Sequence, residues 1–190
     1  MSETVRSFVA IEMPPEVREF LAQCQDRLKR SGADVRWVRP GLIHLTLVFL
    51  GEVAADKLAA LEQAVGGAVA GFGPMALQAA GLGHFPPKGL PRVVWVGLQE
   101  TTGRLLALQK AVAKATERFA ERIEDRRYEP HLTLGRVRSA KNARPLTEAL
   151  AAMARETGPA LEAGDVVIFK SVRGPEGPAY TALARLVLSG

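Results

Sequence analysis

The spacing of hydrophobic and polar positions along the chain predicts alternating strands and helices. Short runs of apolar and β-branched residues are typical of strands, and apolar residues three or four positions apart are typical of helices. The pattern predicts strands at residues 7–11, 42–49, 75–82, 93–98, 131–137, 166–172 and 180–188, and helices at residues 15–31, 55–65, 105–119 and 146–154. Clustered glycines and prolines predict a loop at residues 81–89.

The tetrapeptide HLTL occurs twice, at residues 44–47 and 131–134, which lie 87 residues apart. The same shift places predicted strand on strand and helix on helix. The chain therefore consists of two similar halves of strand, helix, strand, helix and strand, with a last strand completing the second half. Two related lobes packed about an approximate two-fold axis would bring the HLTL segments to opposite walls of one cleft. We expect one bilobal domain over residues 1–190.

Within each motif, the histidine and the threonine share one face of a strand, and the leucines point into the core. The imidazole and the hydroxyl are then roughly 6 to 7 Å apart, which suits the two sides of a phosphate. A neutral imidazole can take a proton from a nucleophile and an imidazolium can give one to a leaving oxygen, because the histidine pKa of about 6.5 allows both forms near neutral pH. A cleft lined by His44, Thr46, His131 and Thr133 would suit metal-free cleavage of a phosphodiester by water.

Composition and the remaining motifs narrow the alternatives. Hydrophobic residues make up 47% and charged residues 24%, which argues against a disordered or fibrous protein, and the net charge of +5 favours anionic partners. The single cysteine, Cys24, is predicted to lie in the core, and His84 is predicted to be structural or on the surface. We expect no metal and no cofactor, since the HExxH, paired-cysteine, GxSxG, Walker and GxGxxG patterns are missing.

The apolar stretches are too short for membrane insertion. Residues 7–13 are too few for a signal peptide, and residues 42–50 cover about half of a membrane-spanning helix. We therefore expect a cytoplasmic protein without a membrane partner, and separately we expect a monomer.

These features resemble the 2H phosphoesterase superfamily, and more narrowly the bacterial and archaeal RNA 2′,3′-cyclic phosphodiesterases, also called 2′-5′ RNA ligases (the LigT/ThpR-like family). The likeness covers nearly the whole chain, with matching segments at residues 6–11, 37–51, 92–98 and 130–136. It implies an α+β fold of two pseudo-symmetric lobes, each an antiparallel sheet with flanking helices, around a central cleft. It also implies hydrolysis of a 2′,3′-cyclic phosphate to a 2′-phosphomonoester on RNA ends or small cyclic nucleotides.

The resemblance implies a role for each motif residue. His44 would be the general acid that protonates the departing 3′ oxygen, and His131 the general base that activates water. Thr46 and Thr133 would hold the phosphate.

Phe49 and Arg136 each stand five residues after a motif histidine, at positions that in relatives can sandwich the terminal nucleobase. A phenyl ring and a guanidinium plane both stack on bases without reading their sequence. Phe49 could instead be a core aromatic. For Arg136, strict alternation points away from the cleft, so a bulge or the strand end near Gly135 would have to redirect it.

Several alternatives remain open at this point. The same histidines could serve a ligase that forms the 2′-5′ bond, or the chain could be a noncatalytic RNA or nucleotide binding module. Tyr128 could line the cleft mouth or cap the core. Four arginines could form a basic approach path for RNA or simply a solvated surface: Arg92, Arg126, Arg127 and Arg138.

Overall fold

The computed structural model describes residues 3–122, 124, 126–175 and 177–190. The described residues form nine strands and four α-helices. In chain order these are β1 (Thr4–Glu12), α1 (Pro15–Lys29), β2 (Val35–Trp37), β3 (His44–Ala54), α2 (Leu58–Val69), β4 (Met75–Phe85), β5 (Val93–Gln99), α3 (Arg104–Thr116), β6 (His131–Val137), α4 (Ala143–Ala152), β7 (Thr157–Ala163), β8 (Asp165–Gly174) and β9 (Gly177–Val187).

The strands form one antiparallel array in the order β7-β4-β5-β6-β3-β1-β8-β9, with β2 paired to β6. The two central strands are weakly connected, because β3 and β6 pair only at Leu45 and Leu132 among the described residues. The array therefore divides into a first lobe of β3, β1, β8 and β9 and a second lobe of β6, β5, β4 and β7. Helices α2 and α3 pack on the first lobe, and α1 and α4 pack on the second. The predicted α+β fold with two antiparallel lobes and flanking helices is confirmed.

Neither lobe is a continuous half of the chain. Strand β4 comes from the N-terminal half but pairs with β5 and β7 of the second lobe. Strands β8 and β9 come from the C-terminal half but complete the first lobe beside β1. The short connection at residues 86–92 explains the first exchange, since a hairpin between β4 and β5 closes at low entropic cost. The two halves of the sequence repeat thus exchange strands.

The leucines of both HLTL motifs are buried in the core between sheet and helices, as predicted. On α1, apolar residues at helical spacing face the same core, and Cys24 among them is only 1% exposed. Burial, followed by the charge of Glu156, raises the pKa of the Cys24 thiol to about 11. Cys24 is therefore an unreactive core residue, as expected.

Several predicted boundaries differ from the structure. Strand β7 was not predicted, because Gly158 and Pro159 are typical of turns; it lies at the edge of the sheet, where proline is tolerated. Strand β4 extends to Phe85 through the start of the predicted loop, and β3 continues past Gly51 to Ala54. Among the described helices, none is long and apolar enough to span a membrane.

Candidate active site

The two HLTL motifs lie side by side on β3 and β6, at the junction of the lobes. Their antiparallel pairing at Leu45 and Leu132 sets a register in which His44 is across from Thr133 and Thr46 is across from His131. Directly opposite residues have Cβ atoms about 4.5 to 5.5 Å apart. The expectation that the motifs lie on opposite walls of a cleft was wrong in this detail, because they lie on adjacent, paired strands where the two lobes meet. Each histidine thus has the other motif's threonine as a neighbour.

Both imidazoles are held in the same way. The Nδ1 of His44 is 2.8 Å from the carbonyl oxygen of Leu42, and the Nδ1 of His131 is 2.7 Å from that of Glu129. A carbonyl oxygen only accepts, so each Nδ1 carries the hydrogen. The Nε2 atom of each ring is then free to accept or donate a proton in the cleft. The two motifs match in backbone contact as well as in sequence.

His44 lies in an aromatic cluster of the first lobe. Phe8 stacks on its ring at 4.7 Å, and Tyr180 meets it edge-on at 5.3 Å between centroids. Burial lowers the pKa of His44, while the hydrogen bond to Leu42 and the charge of Glu12 partly oppose this. The surroundings therefore favour the neutral imidazole before an anion binds.

His131 has a different set of neighbours in the second lobe. The Phe85 ring meets it edge-on at 5.0 Å, and Trp95 lies 5.3 Å from Phe85. A Cβ at Gly83 would lie 2.5 Å from the Trp95 ring, so only glycine leaves that ring its place. A pocket of about 280 Å³ opens beside His131, Phe85 and Trp95.

Matching β-bulges place Phe49 and Arg136 on the cleft face. In β6, Thr133 pairs with Trp95 but Arg136 pairs with Val93, so the register skips Leu134. Strand β3 skips the equivalent leucine, Leu47. A bulge reverses the alternation of the residues after it. The redirection that Arg136 required is therefore present in both motifs.

The exposure of Phe49 and Arg136 decides between the alternative roles considered for them. Phe49 is 62% exposed, so its interpretation as a core aromatic was wrong. Its ring is 6.1 Å from that of Phe8, which stacks on His44. Arg136 is also exposed. No cation–π contact joins Phe49 to Arg136 in the described part of the chain, and a shared base sandwich stays a prediction.

Two of the four arginines considered earlier form ion pairs. Arg126 pairs with Glu124 at 2.7 Å and Arg138 with Asp34 at 3.9 Å, which favours a solvated surface over a basic path for these two arginines. His84 lies within β4, not in a loop, and its buried Nδ1 has no hydrogen-bond partner among the residues that the structure describes.

Three residues near the site were missed or left aside at the sequence level. Tyr128 donates a hydrogen bond to the carbonyl of Thr46 at 3.1 Å and is half-buried. Phe8 and Tyr180 surround His44 from β1 and β9. Their aromatic character on strands was a signal, but only the pairing of distant strands brings them to His44. Within the described ranges, no group of three or more His, Cys, Asp or Glu side chains is placed to hold a metal ion.

Comparison with known proteins finds relatives that match over most of the chain. The chain is 33% identical over 177 residues to an RNA 2′,3′-cyclic phosphodiesterase of Methanothermobacter thermautotrophicus, covering 93% of this chain and 95% of the relative. The crystal structure of a Thermus thermophilus protein superposes with a TM-score of 0.79 at 28% identity, covering 96% of this chain and 97% of that one. E. coli LigT complexed with 3′-AMP superposes with a TM-score of 0.78 at 25% identity, covering 99% and 100%.

The sequence model described as LigT like Phosphoesterase matches the chain twice in succession, over residues 11–95 and 96–180. Each match contains one HLTL motif. The paired motifs on β3 and β6 are thus one copy each of the same family unit, and the chain belongs to the LigT-like phosphoesterase family of the 2H superfamily.

Proposed function

We propose that this protein hydrolyses the 2′,3′-cyclic phosphate at an RNA end to a 2′-phosphomonoester, with His44 and His131 as its acid and base. The observation that carries the proposal is the pairing of the two HLTL motifs, which sets His44 beside Thr133 and Thr46 beside His131. Relatives about one third identical over most of the chain are named RNA 2′,3′-cyclic phosphodiesterase. A LigT structure that contains 3′-AMP supports a nucleotide in the equivalent cleft.

In the proposed reaction, His131 takes a proton from water as the water oxygen bonds to phosphorus. The bond between phosphorus and the 3′ oxygen breaks, and His44 gives its proton to that oxygen. The products are a 2′-phosphate and a 3′-hydroxyl, and proton exchange with solvent resets both rings. General acid–base catalysis of this kind contributes about 10²- to 10⁴-fold for each group.

Thr46 and Thr133 donate their hydroxyl hydrogens to the non-bridging oxygens in this scheme. These oxygens gain negative charge as water adds, so fixed donors stabilise the transition state more than the ground state. Phe49 and Arg136 stack on the terminal base from the cleft face. The residues supply both proton transfers and charge stabilisation without calling on a metal.

The acid role of His44 requires its imidazolium form, although burial lowers its pKa in the free protein. A phosphodiester anion beside Nε2 favours the charged ring and opposes the effect of burial. Substrate binding therefore raises the pKa of His44 and favours the imidazolium form that the reaction needs.

The first experiment is hydrolysis of an oligonucleotide with a 2′,3′-cyclic phosphate in the presence of EDTA. We expect a 2′-phosphate product, and loss of activity in His44→Ala and His131→Ala. His84→Gln is the matched control, because it changes the third histidine outside both motifs. Loss of hydrolysis with EDTA, or full activity in both motif variants, would refute the proposal.

A second experiment assigns the two roles. A substrate whose 3′ bridging oxygen is replaced by sulfur has a leaving group that needs no proton. It should restore the activity of His44→Ala and leave His131→Ala inactive. Restoration of His131→Ala instead would reverse the assignment while keeping the function. A cytoplasmic location and the monomeric state stay predictions.

A further inference from the structure

We propose that the first lobe extends the cleft into a track for the RNA backbone, in which Arg6 and Arg173 bind phosphates on the 5′ side of the reacting end. This inference rests on the proposed phosphodiesterase function. It adds the residues that bind the RNA strand beyond its reacting end.

The register of β1 against β3 places Arg6 on the cleft face. Glu12 is opposite His44, Ala10 is opposite Thr46 and Phe8 is opposite Phe49. These alternate residues of β1 share one face, and Arg6 is the next in the series, about 7 Å along the strand beyond Phe8. The face that carries His44 therefore continues past the exposed Phe49 ring to a guanidinium group.

Beyond this point the surface forms an open groove of about 310 Å³. Its charged lining consists of Arg6, Lys170, Arg173 and one carboxylate, Glu52. Arg173 is four residues beyond Phe169, which pairs with Phe8, and so shares the face of Arg6, whereas Lys170 pairs with Ser7 and points to the other face of the sheet. None of the three cations forms an ion pair in the part of the chain that the structure describes. Glu52 instead accepts a hydrogen bond from the Thr4 hydroxyl at 3.0 Å. A groove with surplus unpaired cations attracts and retains phosphate groups.

Tyr180 connects this groove with the catalytic histidine. Its ring is 5.3 Å from that of His44. Burial raises the pKa of the Tyr180 hydroxyl, and the charges of Arg136 and then Arg6 oppose the increase, so both guanidinium groups lie near this ring. An RNA strand leaving the histidines thus passes Tyr180 between cations of both lobes.

A second like-charged pair supports the same path. Arg36 on β2 is directly opposite Arg136 on β6, an arrangement that is destabilising without an anion between the side chains. The guanidinium of Arg36 also approaches the hairpin between β8 and β9, 3.7 Å from where a Cβ on Gly177 would lie. Neither arginine has a carboxylate partner among the described residues.

Size distinguishes the substrates that can use this surface. A cyclic mononucleotide has one phosphate, which the two histidines and two threonines occupy. Only a strand with further phosphates on its 5′ side can reach Arg6 and the groove at the same time. The track should therefore lower KM for an oligonucleotide and leave the chemical step unchanged.

The test compares kcat/KM for a short oligonucleotide with a 2′,3′-cyclic phosphate and for a 2′,3′-cyclic mononucleotide, over a range of salt concentrations. Each phosphate contact on a single strand contributes about 0.7 to the slope of log affinity against log salt. The double variant Arg6→Gln, Arg173→Gln should reduce the oligonucleotide slope by about 1.4. It should also lower the ratio of oligonucleotide to mononucleotide kcat/KM, mainly through KM.

Two further variants control for charge and folding. Lys110→Gln removes a cation from the exposed face of α3 and should change neither substrate. Glu52→Gln removes the carboxylate of the groove and should act in the opposite direction, raising the oligonucleotide ratio. An unchanged slope in the double variant, or an equal loss for both substrates, would overturn the track.

A last comparison separates RNA backbone from other phosphates. If a cyclic mononucleotide with a 5′-triphosphate gains the whole oligonucleotide advantage, the groove binds a phosphate cluster and the backbone track is wrong. If the wild-type protein hydrolyses neither substrate, the proposed function fails by itself. Salt-dependent binding of an oligonucleotide ending in a 2′-phosphate, measured on the same variants, still decides the track in that case.

Discussion

Tyr128 donates its phenolic hydrogen to the backbone carbonyl of Thr46 across 3.1 Å. Tyr128 precedes β6 by three residues, so this bond ties the entry of one motif strand to the HLTL segment at the start of the other. Burial raises the pKa of the phenol, which keeps it protonated and able to donate throughout the working range of a histidine pair. The distance between the two HLTL motifs thus depends on a residue outside both.

Replacing Tyr128 with phenylalanine should loosen this connection. The Thr46 carbonyl loses its partner, so we expect a loss of about 1–3 kcal/mol in the free energy of unfolding. We also expect kcat to fall about tenfold with little change in KM, because small displacements of positioned groups slow the chemical step. Urea unfolding and steady-state kinetics measure the two effects.

Tyr180→Phe is the matched control for stability, since the Tyr180 hydroxyl forms no hydrogen bond within the described residues. It should unfold at nearly the same urea concentration as the wild type. If Tyr128→Phe keeps both the kcat and the stability of the wild type, Tyr128 does not position the motifs.

Glu12 provides a prediction about pH. Its charge raises the pKa of His44 against the larger effect of burial, so Glu12→Gln should lower that pKa further. If His44 is the acid, activity is lost as pH rises through its pKa, and the alkaline limb of the rate profile should move to lower pH. NMR titration of the His44 ring checks the pKa directly.

Asp165→Asn is the control for Glu12→Gln, because Glu12 and Asp165 both bind Arg185. Of these two carboxylates, only Glu12 shifts the pKa of His44. The Asp165 variant should therefore leave the pH profile of the rate unchanged. A shift of the acidic limb in Glu12→Gln would make His44 the base, and an unchanged profile would exclude this electrostatic contribution.

Identical tetrapeptides did not give identical sites, and the reason lies in long-range pairing. Strand alternation correctly predicts that the leucines of both motifs are buried and that His44 and Thr46 share a face. Nothing within HLTL indicates that Phe8 and Tyr180 surround one histidine while Phe85 meets the other. Those neighbours come from strands whose pairing is decided by the whole sheet.

The sequence pattern did not predict the bulges or the exchange of strands between the lobes, for related reasons. The bulges at Leu47 and Leu134 turn Phe49 and Arg136 to the cleft. A bulge requires no particular residue, so the sequence does not show where one occurs. Counting alternate residues along the strand therefore assigns the wrong face to every residue after the bulge. The repeat predicts equivalent elements without showing which lobe each strand joins. Strand β4 is therefore predicted as a strand and yet assigned to the wrong lobe.

Phe49 leads to a prediction about binding. Its side chain is 62% exposed, so Phe49→Ala should change stability little. Base stacking on an aromatic ring contributes about 1–3 kcal/mol, which corresponds to a rise in KM of about 5- to 150-fold. The kcat should change much less. Leu106→Ala, on the outer face of α3 and 42% exposed, is the control and should leave KM unchanged. Equal KM values for Phe49→Ala and the wild type would exclude stacking.

Gly83 tests how closely the second lobe holds His131. An alanine Cβ at this position would lie 2.5 Å from the Trp95 ring, and Trp95 packs on Phe85, which meets His131 edge-on. Gly83→Ala should therefore displace Trp95, change the tryptophan fluorescence and lower kcat. Gly67→Ala on α2 adds the same methyl group with nothing within 4 Å and should stabilise the helix by about 1 kcal/mol. If Gly83→Ala changes fluorescence but keeps the kcat of the wild type, the contacts from Trp95 to His131 do not position the imidazole.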